Sequence, residues 1–176
     1  MVKITELPMT DSKSGRLNVV VDTPKGSRNK FKYDERDGVW RLSKILPEGM
    51  CFPFDFGFIP STRGEDGDPV DILLMAAEPT FPGCVVSAKL IGVIEAEQTE
   101  KGKTVRNDRL IGVVETEFNP AEFHTLNDVN QQRLDEIEHF FVAYNEVEGR
   151  TFKPLGRKGA DVAEKLLLRA VERTTS

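Results

Sequence analysis

At 176 residues the chain fits a single domain, expected over 1–176, and is long enough to bury a core without disulfides or a structural metal. Lys plus Arg total 24 against 29 Asp plus Glu, a net charge of −5, which argues against a general binder of nucleic-acid backbones. No apolar run approaches the ~20 residues that span a bilayer, and the first eight residues lack the basic start and apolar block of a signal peptide, so a cytoplasmic protein with no membrane partner is expected.

Residues 1–15 are polar and predict a loose N-terminal arm. Short β-type runs then follow, separated by turn residues: 17–22, 30–33, 39–42 after the Asp37-Gly38 hairpin turn, 70–75, 84–87, 89–94 and 110–114. Many short strands punctuated by 14 Gly and 10 Pro favour a closed barrel over an open parallel sheet. The period then changes. Asn119-Pro-Ala-Glu122 reads as a capped helix start, followed by Leu134, Ile137, Phe140, Phe141 and Tyr144 at helical spacing. A second helix is expected from Asp161, with Ala163, Leu166, Leu167, Ala170 and Val171 on one face. Both stripes read as core contacts. Cys51 and Cys84 have no metal-type spacing and read as buried or chemically neutral residues. His124 and His139 lack convergent partners and read as structural.

The segment Asp66-Gly-Asp-Pro-Val-Asp71, leading into Ile72-Leu-Leu-Met75, carries the chemistry. Three aspartates at i, i+2 and i+5 repel one another unless a cation or proton shares their field. Hard oxygen ligands suit Mg²⁺, with Mn²⁺ as the alternative. An EF-hand fails here, because Val70 stands where a third ligand belongs and the glycine is misplaced. A solvated acidic turn is the plainer reading of such a loop. Against it stand Pro69, which fixes the backbone between two acids, and the apolar strand behind.

This run resembles the Asp-x-Asp-Pro-hydrophobic-Asp signature of soluble family I inorganic pyrophosphatases. Further segments are similar to that family in the same order: 23–30 (Thr-Pro-Lys-Gly-Ser-Arg-Asn-Lys), 52–60 (Phe-Pro-Phe-Asp-Phe-Gly-Phe-Ile-Pro), 78–84, and His139-Phe-Phe141 with Tyr144. The resemblance implies an α+β, mainly β fold: a five-stranded OB-type closed barrel with additional strands and two C-terminal helices. It implies Mg²⁺-dependent hydrolysis of pyrophosphate and a homo-oligomer, in bacteria usually a hexamer. It assigns Asp66 and Asp71 as metal ligands and Asp68 as general base. Lys30, Lys44, Arg109 and Tyr144 would bind phosphate, and Asp22 would lie near the metal site.

Departures from the family pattern are equally specific. Lys32 replaces an acid, Lys44 an arginine, Phe52 and Phe56 two tyrosines, and Asn145 a lysine. In the second acid loop, Asn107 falls at the usual second acid and Arg109 at the usual lysine. Asp108 supplies the carboxylate if the loop shifts by one residue, and Glu97 or Glu100 replaces the first acid; Asp108 and Glu97 are the expected ligands. These changes keep two alternatives open: the same acid core acting on another phosphoanhydride or phosphate ester, and a non-catalytic metal–phosphate binding module.

Overall fold

A computed structural model describes residues 3–116 and 120–175. Among these residues nine strands form: β1 (Leu17–Thr23), β2 (Asn29–Asp34), β3 (Val39–Ile45), β4 (Asp55–Phe58), β5 (Asp71–Met75), β6 (Val85–Glu100), β7 (Lys103–Arg106), β8 (Arg109–Val114) and β9 (Thr151–Gly159). Two helices follow the pattern change, α1 (Gln131–Val147) and α2 (Ala160–Thr175). Strands β1, β4, β5, β8 and β6 pair in that order, and β6 pairs back with β1, closing a five-stranded ring. All ring contacts are antiparallel except β5 with β8. The 16-residue β6 extends beyond the ring, where it carries β7 and β9. The β2–β3 hairpin stands apart from the barrel sheet.

Strand alternation explains why β5 is apolar at successive positions. Ile72 and Leu74 join Val19, Val21, Val93 and Leu110 in one core with Ala163 and Leu167 of α2. Leu73 and Met75 join the other core, under Leu134, Ile137 and Phe141 of α1. β4 crosses β1 so closely that a Cβ on Gly57 would stand 2.2 Å from the Val20 carbonyl oxygen. Only glycine fits there.

The first helix begins later than Asn119-Pro120 predicts. Asn119 lies outside the described residues, and 120–125 has no helical structure. Phe123, Leu126 and Val129 instead turn into the core around a 3₁₀ turn at Leu126–Asp128. Asp128 accepts from the backbone N–H groups of His124 and Thr125, and the Asn130 side chain then caps α1 by accepting from Gln132 N at 2.8 Å. Ahead of β1, Thr10 bridges to Leu17, and Ser61 donates to the carbonyls of Thr5 and Leu7. Cys51 and Cys84 are both free thiols; Cys51 is exposed rather than buried. Among the described residues no helix is long and apolar enough to cross a membrane.

Candidate active site

The acid loop is braced from both sides. Gly64 N–H donates to the Asp68 carbonyl at 2.8 Å, and Asp66 Oδ1 accepts from Asp68 N at 3.2 Å. Gly67 takes φ of 91°, a left-handed backbone that glycine adopts without steric cost. The buried Thr62 hydroxyl accepts from Val70 N, and Arg63 N donates to the Ala170 carbonyl of α2. The loop therefore rests on the barrel and on α2, with Asp66 and Asp68 toward solvent. A cleft of about 350 Å³ runs beside it, lined by Glu65, Asp66, Asp71, Glu95, Arg106 and Asp108 among others.

Four carboxylates share one field. Asp22, near the end of β1, is half-buried, and its Oδ1 is fully enclosed without a hydrogen-bond partner. Burial pushes its carboxyl up to about 6; the Lys30 charge opposes this and the Asp71 charge adds to it. Asp66, although open to solvent on one side, is raised too, by the partial enclosure of its carboxylate and by the charges of Asp71 and Asp68. Asp68 stands 3.5 Å from the Lys32 ammonium, an exposed pair of little energetic weight.

Facing these acids is a cationic, aromatic wall. The β2–β3 hairpin places Lys30 directly across from Lys44. The Lys30 ammonium lies 4.5 Å from the centroid of Phe56 and 5.5 Å from that of Phe52, while Lys44 lies 5.4 Å from that of Tyr144. With phenylalanines at 52 and 56, the rings offer faces and no hydroxyls. Tyr144 is 7% exposed on α1, and its hydroxyl donates to Glu148. Burial and the Glu148 charge hold that phenol well above its usual range.

Glu148 escaped sequence reasoning. It also accepts from the Lys44 ammonium and from Arg150 Nη1. Burial works against its ionised form, but the bonds from Lys44 and Tyr144, with the Arg150 charge, outweigh it and hold the carboxyl below its ordinary value. Its position four residues beyond Tyr144 is the available signal, since i and i+4 share a helix face. Asn145 is buried and donates to the Phe141 carbonyl, taking no part in this wall.

The second loop separates its candidates by alternation. Arg109 is 5% exposed, and its guanidinium lies 5.2–5.9 Å from the ring centroids of Phe141, Phe152 and Phe56. Its Nη1 bonds Asp71 Oδ2 at 2.8 Å and also Asn107 Oδ1. Asn107 in turn donates to Gln98. Asp108 turns to the other side, accepting from Ala96 N at 2.9 Å and pairing with Arg106 at 2.9 Å. Glu95 shares Arg106 at 3.1 Å and lines the cleft, and Glu97 is not among the lining residues. Each strand residue advances ~3.3 Å, so Glu97 stands roughly 7 Å farther out along the β6–β7 ribbon.

Among the described residues, no three carboxylate, imidazole or thiolate groups converge tightly enough to enclose one ion. Mg²⁺ does not require such a cage, because it keeps several waters and uses one or two carboxylates. The side formed by Asp22, Asp66 and Asp71 fits a hard cation better: Arg109 pairs with one oxygen of Asp71, but Asp22 has an enclosed oxygen with no partner and Asp66 feels the charges of Asp71 and Asp68. The Asp108 side does not, because Arg106 and a backbone amide already occupy its carboxylate.

A model of the inorganic pyrophosphatase family matches residues 19–175. An inorganic pyrophosphatase of Methanosarcina acetivorans is 37% identical over 156 residues, 89% of this chain and 90% of that protein. Another from Halalkalibacterium halodurans is 35% identical over 151 residues, 86% of this chain and 90% of that protein. The crystal structure of inorganic pyrophosphatase from Thermus thermophilus superposes with a TM-score of 0.87 at 32% identity, covering 99% of each chain. Sequence and backbone agree across the barrel and both helices, and the chain belongs to the inorganic pyrophosphatase family.

Proposed function

We propose that this protein hydrolyses inorganic pyrophosphate to two phosphates with a divalent cation, Mg²⁺ first and Mn²⁺ as a substitute. The observation that carries the reading is the braced Asp66–Asp71 loop set opposite the paired ammonium groups of Lys30 and Lys44. Asp66 and Asp71 would hold the cation, with the Asp22 carboxylate beside it. When bound, it supplies charge against the phosphoryl oxygens and lowers the pKa of a coordinated water. Asp68, exposed on the same loop, accepts the proton of the attacking water. Lys30, Lys44 and Arg109 neutralise phosphate oxygens, and Tyr144 donates a hydrogen bond to one of them once released from Glu148. Asp108 and Glu97 fall outside this set. The family resemblance further supports a cytoplasmic homo-oligomer, with a hexamer favoured, built from one domain per chain.

The test is phosphate release from pyrophosphate by the purified protein, titrating Mg²⁺ and Mn²⁺, with Asp68→Asn as control. Metal-dependent release that the variant loses supports the reading; background release from folded wild type rejects it. A second reading, the same acid core acting on another phosphoanhydride or phosphate ester, draws on Glu148, whose carboxylate already occupies the cations on one side of the pocket. A substrate panel in which pyrophosphate alone is cleaved removes it.

A further inference from the structure

The β2–β3 hairpin brings more positive charge to the site than the Lys30–Lys44 pair. Lys30 and Lys32 lie two residues apart on β2, so both side chains leave the same face of the strand, roughly 7 Å apart at their bases. The Lys30 ammonium rests on the rings of Phe56 and Phe52, and Lys32 reaches Asp68 at 3.5 Å. The Asp22 carboxylate lies in the field of both. Two ammonium groups therefore run from the aromatic wall to the acid loop.

The cations around the pocket differ in how firmly they are held. Lys44 is bound by Glu148, whose side chain is only 11% exposed. Arg41, directly across from Lys32 in the hairpin, is tied to Asp34 and Asp37. Arg109 is enclosed by rings and paired with Asp71. Lys32 is the loosest of these. Its side chain and that of Asp68 are 67% and 66% exposed, so water screens their attraction. An ammonium also has three donors, and one carboxylate oxygen takes one of them. Lys32 can receive a phosphate oxygen without leaving Asp68.

Its place beside Asp68 says which phosphate that is. A water that gives its proton to Asp68 lies within hydrogen-bond reach of that carboxylate, and about 3 Å from the phosphorus it attacks. An ammonium already in contact with Asp68 is within reach of the oxygens on that same phosphorus. Lys44, by contrast, sits with Tyr144 and Glu148 of α1.

We propose that Lys32 is a substrate-binding residue, whose ammonium takes an oxygen of the phosphate attacked by the Asp68-activated water. The inference rests on the reading above that the site takes pyrophosphate. Because Lys32 replaces an acid of the family pattern, the contact is a departure of this chain rather than a shared feature.

Wild type, Lys32→Ala and Lys32→Arg are compared, with Lys158→Ala as a control for the loss of one positive charge. Both lysines have exposed side chains, so the fold is not at stake. Binding of imidodiphosphate, a pyrophosphate analogue bridged by nitrogen, is measured by calorimetry in saturating Mg²⁺ at low and high salt. Lys32→Ala is expected to weaken binding about fivefold at low salt and less at high salt, and Lys32→Arg to restore it to within about twofold. Lys158→Ala should leave it unchanged. Equal affinity of wild type and Lys32→Ala overturns the proposal, as does an equal loss from Lys158→Ala, or no binding to wild type. Steady-state kinetics on the same proteins supply a second readout: KM for pyrophosphate should rise in Lys32→Ala alongside the analogue's dissociation constant. A fall in kcat at unchanged KM would show that Lys32 only orients Asp68, and overturns the proposal. Analogue binding that depends on Lys32, without phosphate release by wild type, overturns only the hydrolytic reading. Release with neither KM nor affinity depending on residue 32 overturns only this inference.

Discussion

Asp71 and Arg109 are joined by a 2.8 Å ion pair because each is the first residue of one of two parallel strands. β5 and β8 are the one parallel pair of the barrel ring, registered Ile72 to Leu110, so the residues just before them emerge side by side. Antiparallel pairing would have sent them to opposite ends. The barrel topology thus fixes an acid and a base at one rim, and three phenyl rings prevent the base from leaving.

Arg109→Ala is expected to cost about 3–5 kcal/mol of stability, because it leaves Asp71 without its counter-charge and empties an aromatic pocket. Arg109→Lys keeps the charge but loses the planar fork that reaches Asp71 and Asn107 together, and is expected to cost about 1–2 kcal/mol. Urea denaturation at neutral pH measures both. Equal losses for the two variants would show that charge contributes nothing to this buried pair.

The proposed roles of Asp68 and Asp71 make a separate kinetic prediction. Asp68→Asn keeps the loop's shape but cannot accept a proton, and phosphate release should fall by about 10²–10⁴-fold with the fold intact. Asp71→Asn should lose activity to a comparable degree while also weakening cation binding. A steady-state assay at saturating metal distinguishes them: added metal should partly restore Asp71→Asn and leave Asp68→Asn unchanged.

Much of this arrangement was legible before the fold. The acid loop declares itself through glycine, proline and crowded aspartates, and β1, β3, β5 and β8 through apolar or alternating runs. β4 was hidden because Asp-Phe-Gly-Phe between two prolines reads as an aromatic turn, and β9 because Lys153, Pro154 and Gly156 suppress the strand signal. The runs at 84–87 and 89–94 merge into a single β6, whose length serves several partners in turn. At the site, each residue's type was readable but its partner was not. Lys44 and Glu148 lie 104 residues apart, and no local pattern announces their contact. Nor does spacing reveal that Arg106 neutralises Asp108.

If Lys44 and Tyr144 bind phosphate as proposed, Glu148 acts as a built-in anion on the substrate side of the pocket. It occupies Lys44, Tyr144 and Arg150 together, so an incoming phosphate must displace a carboxylate to reach the first two. Glu148→Gln removes the competing charge. The KM for pyrophosphate is expected to fall about fivefold, equivalent to ~1 kcal/mol, with a stability loss of similar size from the weakened ion pairs. Initial-rate kinetics beside a denaturation curve checks both. A rise in KM would show instead that Glu148 holds Lys44 in its productive position.

Asp22 gives the site a pH signature that metal should erase. Its folded-state pKa is raised to about 6, chiefly by burial, against an ordinary value of 3.8. A carboxyl raised on folding favours the native state while it is protonated. Its benefit is therefore complete below about pH 4 and lost as pH rises through about 6. Metal-free protein at pH 7.5 should carry a penalty of roughly 2 kcal/mol from this group, allowing for partial solvent access to the carboxylate. Asp22→Asn removes the charge, so it should stabilise metal-free protein by about that amount at pH 7.5 and scarcely at all at pH 4. Saturating Mg²⁺ should stabilise the wild type at pH 7.5 and close the gap, since a cation on Asp66 and Asp71 also answers the Asp22 charge. Chemical denaturation at the two pH values, with chelator and with Mg²⁺, reads all four conditions. A variant that is less stable than wild type at pH 7.5 without metal would show that the Asp22 carboxylate is already compensated within the protein.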